Sequence, residues 1–149
     1  MKSIDDRVKT NFQDEKTRGM VNIMYTASWL NVKHNAFIKK FGLSSEQFTV
    51  LRILRGNGGW MTMNDVKSRM IHGTPNMTRL TDKLIAKNLI ERNRCQEDRR
   101  IVHVQILKEG MTLLEDIDEK SDKKKQFINP DFSEEDGKKL SELLDKLRG

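Results

Sequence analysis

The sequence predicts a mainly α-helical protein with one small β-hairpin, and three features of the 149-residue chain support this fold class. Apolar residues recur at intervals of three and four over long stretches, which is the spacing of one helix face. Several of these stretches start with Ser or Thr followed three residues later by Gln or an acidic residue, a pattern typical of helix N-termini. Two short apolar runs, at Leu89–Ile90 and Ile101–Ile106, enclose a basic turn and predict two paired strands.

Residues 1–43 are predicted to be dominated by one long helix. From Met20 to Phe41 the apolar residues follow the helical period without a proline or an internal glycine, and Gly42 is expected to end the helix. The first dozen residues are polar and either extend this helix or form a separate arm.

Three shorter helices are predicted between residues 44 and 88. The first begins with a capping box at Ser44–Gln47 and ends near Arg55, before a glycine-rich turn. The second starts at Thr62, with Asp65 three residues later, and runs to about Ile71. The third starts near the Gly73-Thr74-Pro75 run, where proline suits the first helical turn.

The third helix is the candidate for contact with DNA. A helix fits the major groove, and side chains of its first turns can reach base edges while its amides favour phosphate. The amide of Asn76 is a candidate partner of adenine, and the guanidinium of Arg79 of guanine or phosphate. The alternative is that these residues only begin a surface helix, because Thr, Pro and Asn are common at helix N-termini. The residues predicted to contact DNA are Thr74, Pro75, Asn76, Thr78, Arg79 and Lys83.

The basic turn between the two strands is the second candidate DNA contact. Arg94, Arg99 and Arg100 surround it, and arginines at the tip of a hairpin can enter the negatively charged minor groove. Asp98 would repel phosphate by itself, but it can pair with Arg100 and fix the direction of that guanidinium. The alternative is a solvated turn with an incidental salt bridge.

Residues 108–149 are predicted to form two helices separated by a break at Ile128–Asp131. Ser133 begins the last helix, which carries a narrow stripe of leucines. Such a stripe with little else to pack against predicts contact with a second chain. The stripe consists of Leu140, Leu143, Leu144 and Leu147.

Composition excludes several classes of protein. The net charge of +6 suits an anionic partner, and no apolar run approaches the length of a membrane helix. A single cysteine and the absence of a signal-peptide pattern indicate a cytoplasmic protein. His34, His72 and His103 lie too far apart for a zinc motif, and no nucleophile or phosphate-loop motif is present, so we expect no metal, no cofactor and no enzymatic activity.

Residues 44 to about 115 resemble the winged helix-turn-helix of the multiple-antibiotic-resistance regulator (MarR) family. The resemblance lies in LSSEQFTVLRIL, MTMNDVKSRM, TPNMTRLTDKLIAKNLIERNRCQEDRR and the glycine of KEGMTLLE. It implies a homodimeric, usually repressing transcription regulator that binds a pseudo-palindromic operator in double-stranded DNA. It also implies a winged DNA-binding domain at residues 44–107, with dimerisation helices at residues 1–43 and 108–149.

The resemblance assigns roles residue by residue. Asp98 and Arg100 match the wing aspartate and its minor-groove arginine, and Thr78-Arg79 match the recognition-helix pair that meets DNA. Two positions depart from the family pattern. Gly73 stands where a capping Asp, Ser or Thr is common, so the recognition helix is expected to lack a side-chain cap, and Leu107 replaces a common threonine.

The resemblance also suggests a small aromatic or phenolic effector. Tyr25, Trp29 and His34 are candidates to line its cavity against the winged domain, although packing of Tyr25 and Trp29 in a dimer core is the alternative that the sequence favours. Two alternative functions remain open. One is a winged-helix module that binds protein, and the other is a redox-responsive regulator that uses Cys95, since the N-terminal cysteine of the family's peroxide sensors is absent here.

Overall fold

A computed structural model describes residues 2–70, 76–94, 101–122 and 128–149. The chain forms two compact units, Met1–Leu114 and Glu115–Gly149. The described helices and strands are α1 (Ile4–Val8), α2 (Glu15–Ile38), a 3₁₀-helix (Lys39–Phe41), α3 (Ser45–Asn57), β1 (Met61–Thr62), α4 (Met63–Ser68), α5 (Met77–Ala86), β2 (Ile90–Arg94), β3 (Val102–Ile106), α6 (Lys108–Asp122) and α7 (Glu134–Arg148).

The N-terminal region contains a separate short helix before the predicted long one. Ser3 begins α1 with a capping box to Asp6, and the chain leaves this helix through Lys9 in the left-handed region. The long helix α2 starts earlier than Met20, the predicted start, because the Asp14 carboxylate accepts from the Thr17 amide at 2.8 Å and caps it. Gly42, at a φ of 70°, ends the following 3₁₀-helix as predicted.

The predicted capping box of α3 is confirmed. The Ser44 hydroxyl accepts from the Gln47 amide at 3.2 Å, and the Gln47 side chain accepts from the Ser44 amide at 2.9 Å. The helix ends at Gly58, whose left-handed conformation lets its N–H donate to the Leu54 carbonyl. The predicted start of α4 at Thr62 is also confirmed, but this helix ends at Ser68 instead of near Ile71.

The sheet has three antiparallel strands in the order β1, β3, β2, so the prediction of two strands was incomplete. The strands β2 and β3 form the predicted hairpin, with Arg94 opposite Val102. The additional strand β1 has two residues, and the second of them, Thr62, is also the N-cap of α4. A strand that short has no alternation of its own, and the helix-start pattern dominates the sequence there.

The core of the first unit lies between its helices and one face of the sheet. Each helix from α2 to α6 in this unit contributes at least one fully or almost fully buried side chain, as do β2 and β3. The largest of these side chains are Ile38, Leu51, Leu54, Leu84, Ile90, Val50, Val66, Val104 and Leu114.

The second unit contains the end of α6 and all of α7. The predicted break is confirmed as a turn in which the Phe132 amide donates to the Asn129 carbonyl at 2.9 Å. A capping box between Ser133 and Asp136 then begins α7, as the sequence indicated. Within the described ranges, no helix is both long enough and apolar enough to span a membrane.

Candidate nucleic-acid interface

The helix α5 begins at Asn76, which caps it. The side-chain oxygen of Asn76 accepts from the Arg79 amide at 3.0 Å. The expectation that this helix lacks a side-chain cap was therefore wrong, because the cap lies three residues after Gly73. Thr74 and Pro75 lie outside the described residues, and their DNA contacts stay predictions.

The two faces of α5 differ as the sequence predicted. Met77, Thr81 and Leu84 are buried, and the Thr81 hydroxyl donates to the carbonyls of Met77 at 3.0 Å and Thr78 at 2.9 Å. Thr81 was not predicted in the core, but these bonds satisfy its hydroxyl there. The opposite face carries five exposed polar side chains from its start to its middle. They are Asn76, Thr78, Arg79, Asp82 and Lys83.

An ion pair links this exposed face to the hairpin. Nη1 of Arg92, in the middle of β2, lies 2.8 Å from Oδ1 of Asp82 on α5. Neither residue was predicted to have a functional role, because the pairing depends on how β2 packs against α5. The exposed face of α5 and the hairpin are therefore joined by a direct polar contact.

The predicted wing residues lie at and beyond the end of β2. The backbone of Arg94 is the last position of this strand. Asp98, Arg99 and Arg100, together with Cys95, lie outside the described residues. Their roles stay predictions, although the register of β2 and β3 confirms that a hairpin carries this segment.

A cleft of about 550 Å³ lies between α1 and α2. Tyr25 and Trp29, two of the predicted effector residues, line it together with Arg7 and Arg18. The Arg7 guanidinium lies 5.7 Å from the centre of the Tyr25 ring, a cation–π distance. The cleft therefore combines aromatic side chains with cationic groups.

An ion pair holds α1 at one side of this cleft. Nη2 and Nε of Arg18 donate to Oδ2 of Asp5 at 2.8 and 3.0 Å, and Nη1 lies 3.2 Å from the Glu15 carboxylate. Hydrogen bonding from Arg18 lowers the pKa of Asp5, and the same bond raises the pKa of Arg18. The bond therefore stabilises the charged forms of both groups.

His34 is not among the residues that line this cleft, so its grouping with Tyr25 and Trp29 in an effector cavity stays a prediction. Its ring centre lies 5.5 Å from that of Phe48, where α2 contacts α3. The cleft also lies against α1 instead of the winged part of the chain. The helical period placed all three residues on α2, but it did not predict that α1 would fold back over only the first part of it.

Metal ligands do not cluster in the described part of the chain. No group of three or more His, Cys, Asp or Glu side chains there has the arrangement of a metal site.

Comparison with known proteins gives matches over the same region. A family model described as the MarR family matches residues 41–101. The HTH-type transcriptional regulator MhqR of Bacillus subtilis is 32% identical over 88 residues, which are 59% of this chain and 60% of that protein. The uncharacterised HTH-type transcriptional regulator YwoH of the same organism is 32% identical over 122 residues, covering 82% of this chain and 88% of YwoH. The chain spans 60% and 55% of the length of the first two curated relatives.

Solved structures share the fold over almost the whole chain. A mutant MarR from E. coli, complexed with operator DNA, superposes with a TM-score of 0.74 at 19% identity, over 92% of this chain and 99% of that one. An organohalide-sensing transcriptional regulator in its 2,4-dichlorophenol-bound form superposes with a TM-score of 0.77 at 19% identity, over 91% of this chain and 80% of that one.

Proposed function

This chain belongs to the MarR family of winged helix-turn-helix transcription regulators, and from that premise we propose that it is a cytoplasmic, homodimeric repressor of a pseudo-palindromic operator. The observation that carries the proposal is the exposed polar face of α5, next to a hairpin whose connecting segment is rich in arginine.

In this proposal α5 enters the major groove. Thr78 and Arg79 face base edges and phosphates from the first turn of the helix, and Lys83 reaches the backbone one turn later. The wing residues Arg99 and Arg100 enter the flanking minor groove, and Asp98 orients Arg100. DNA binding then joins a sequence-reading helix to a wing that adds electrostatic affinity.

Dimerisation places two such surfaces on one face of the DNA. A two-fold axis sets the recognition helices about one helical turn apart, which matches a palindromic site. The leucine stripe of α7 supports this step because Leu140, Leu143 and Leu147 are 47%, 65% and 58% exposed in the single chain. The dimerisation segments, residues 1–43 and 108–149, carry the contact between the two chains.

We further infer that the cleft between α1 and α2 binds a small aromatic effector that carries a negative charge. Tyr25 and Trp29 offer aromatic surface, and Arg7 offers the positive charge. The 2,4-dichlorophenol complex of the organohalide-sensing regulator supports this ligand class. An effector weakens operator binding if it favours a dimer whose two recognition helices are too close or too far apart for successive major grooves. The loss equals the coupling free energy, about 1 to 3 kcal/mol or roughly 5- to 150-fold.

Selection of bound duplexes from a random pool tests the DNA-binding proposal. We expect one palindromic sequence family, and an affinity for it that falls steeply with salt because bound phosphates release counterions. Arg79→Ala should weaken binding and relax the base preference, whereas Arg100→Ala should weaken binding by more than about 1 kcal/mol. Lys138→Ala, on α7, removes one positive charge as a control and should leave base preference unchanged. A protein without preference for any duplex at low salt would contradict the proposal.

Tryptophan fluorescence tests the effector cleft. The chain has two tryptophans, so Trp60→Phe leaves Trp29 as the single reporter. Titration with 4-hydroxyphenylacetate or 2,4-dichlorophenol should change the emission of Trp29 and release the selected duplex over the same concentration range. Arg7→Gln should weaken the response to the anionic ligand more than to the neutral form of the phenol. Release of DNA with no change at Trp29 would place the effector elsewhere.

A further inference from the structure

We propose that the ion pair between Asp82 and Arg92 is a positioning element for DNA binding. It fixes the orientation of the β2–β3 hairpin, which carries the predicted wing residues, relative to the exposed polar face of α5. The inference rests on the proposed function, because it concerns how the two parts of the DNA-binding surface are joined. It adds two residues that contact each other instead of the DNA.

The geometry of the sheet directs Arg92 towards α5. Arg92 lies opposite Val104 of β3, and Met61 of β1 lies opposite the same residue. Residues directly opposite each other share a face of a sheet. Because Val104 is fully buried and Met61 is 4% exposed, this is the face turned to the core. The Arg92 side chain leaves that face and ends 2.8 Å from Asp82.

Asp82 places a carboxylate on the face of α5 that is proposed to contact DNA. It follows Thr78 by four residues and Arg79 by three, so it lies on the strip of α5 that faces DNA in the proposed complex. An unpaired negative charge there would repel phosphate. Pairing with Arg92 offsets that repulsion and ties the strip to the strand that leads into the wing.

The two possible roles of Asp82 predict opposite changes in DNA affinity when its charge is removed. If Asp82 acts only through its charge, its neutralisation should tighten binding to every duplex. If Asp82 positions the hairpin, neutralisation should weaken binding to the preferred duplex. Only that complex needs α5 and the hairpin in their correct relative orientation. The pair is partly exposed, with 51% of the Asp82 side chain and 34% of the Arg92 side chain accessible. Such pairs contribute little to folding, so the effect should appear in binding and not in stability.

The experiment measures binding of Asp82→Asn to two duplexes by fluorescence anisotropy. One is the duplex selected by the wild-type protein, and the other is a scrambled duplex of the same length and composition. We expect affinity for the selected duplex to fall about 5- to 20-fold, while affinity for the scrambled duplex stays equal or rises. Arg92→Gln should cause a similar loss, and the double variant should lose no more than either single variant.

Controls separate positioning from folding and from charge. Asp82→Glu keeps the carboxylate within reach of Arg92 and should restore most of the preference for the selected duplex. Glu109→Gln removes the same charge from α6 and should not reduce that preference. Melting temperatures of all variants should agree with that of the wild type.

Three outcomes would overturn the inference. These are tighter binding of Asp82→Asn to both duplexes, additive losses in the double variant, and a fall in melting temperature that Asp82→Glu does not reverse. Failure of the proposed function looks different, because the wild-type protein itself would then show no preference between the two duplexes.

Discussion

Gly110 of α6 lies against the backbone carbonyl of Leu89. A Cβ atom at residue 110 would be 2.4 Å from that oxygen and 2.8 Å from Cγ1 of Ile106. The carbonyl has little freedom to move, because it accepts a hydrogen bond from the Leu107 amide at 3.0 Å. Close approach of α6 to the start of the hairpin therefore requires a residue without a side chain.

Gly110→Ala is consequently expected to destabilise the protein by about 1 to 3 kcal/mol, since helix or strand must shift to relieve the overlap. Thermal or urea unfolding measures this loss. Gly56→Ala is the matched control, because Gly56 lies within α3 and an added Cβ meets nothing within 4 Å. It should stabilise the protein by about 0.5 to 1 kcal/mol through helix propensity. Equal effects of the two substitutions would show that the contact with Leu89 has no energetic importance.

Much of the first unit could be predicted because its signals are local. The capping box at Ser44, the helix start at Thr62 and the β-branched run before Leu107 each lie within a few residues, and each is found in the structure. Gly110 shows the limit of this approach. The resemblance to the family marked it as characteristic, but the reason lies in its contact with Leu89, far away in sequence.

The start of α5 provides a second test. Asn76→Ala should lower the free energy of unfolding by about 1 kcal/mol, because the Arg79 amide loses its acceptor. Asn76→Ser keeps a capping oxygen and should remain close to wild-type stability.

The same pair of variants tests the predicted contact with adenine. Such a contact would need the Asn76 oxygen to accept from adenine while it also accepts from the Arg79 amide, and the cap fixes its direction, so we expect Asn76→Ser to retain DNA affinity within about twofold. Equal loss of affinity in both variants would support the base contact instead.

The candidate sites were predicted less completely than the helices. The exposed strip of α5 follows from helical periodicity, so Thr78, Arg79 and Lys83 were placed on the correct face. The ion pair of Asp82 and the position of His34 depend on packing between distant segments. No spacing in the sequence shows that β2 approaches α5 or that α1 folds back on α2.

The contact between α1 and α2 should weaken at acidic pH. Hydrogen bonding from Arg18 lowers the pKa of Asp5 below its ordinary value of 3.8. The folded state therefore favours the carboxylate, and the stabilisation is complete above the unfolded-state value and is lost as pH falls through the lower folded-state value. We expect α1 to stay docked from pH 8 to pH 5 and to loosen only below about pH 4.

Asp5→Asn removes that dependence and tests it at neutral pH. Amide hydrogen exchange followed by mass spectrometry should show faster exchange in α1 of this variant, while α3 and α5 remain unchanged. Asp6→Asn is a useful comparison, because Asp6 belongs to the capping box of α1, whereas Arg18 pairs with Asp5 and Glu15. It should loosen the first turn of α1 without changing the emission of Trp29. Unchanged exchange in Asp5→Asn would show that Ile4, which is 6% exposed, holds α1 in place without the ion pair.

The leucine stripe of α7 gives the last prediction. Leu143 is 65% exposed in the single chain, so Leu143→Asp should not disturb the fold of its own unit but should place a charge inside the proposed dimer contact. We expect light scattering to show monomers and operator affinity to fall by about 100-fold, because each monomer then binds one half-site alone. Ser141→Asp adds the same charge to α7 away from the stripe and should leave the dimer intact. A Leu143→Asp protein that is still dimeric would mean that α7 does not carry the contact, and the exposed apolar residues of α2, such as Met24, would then be the next surface to test.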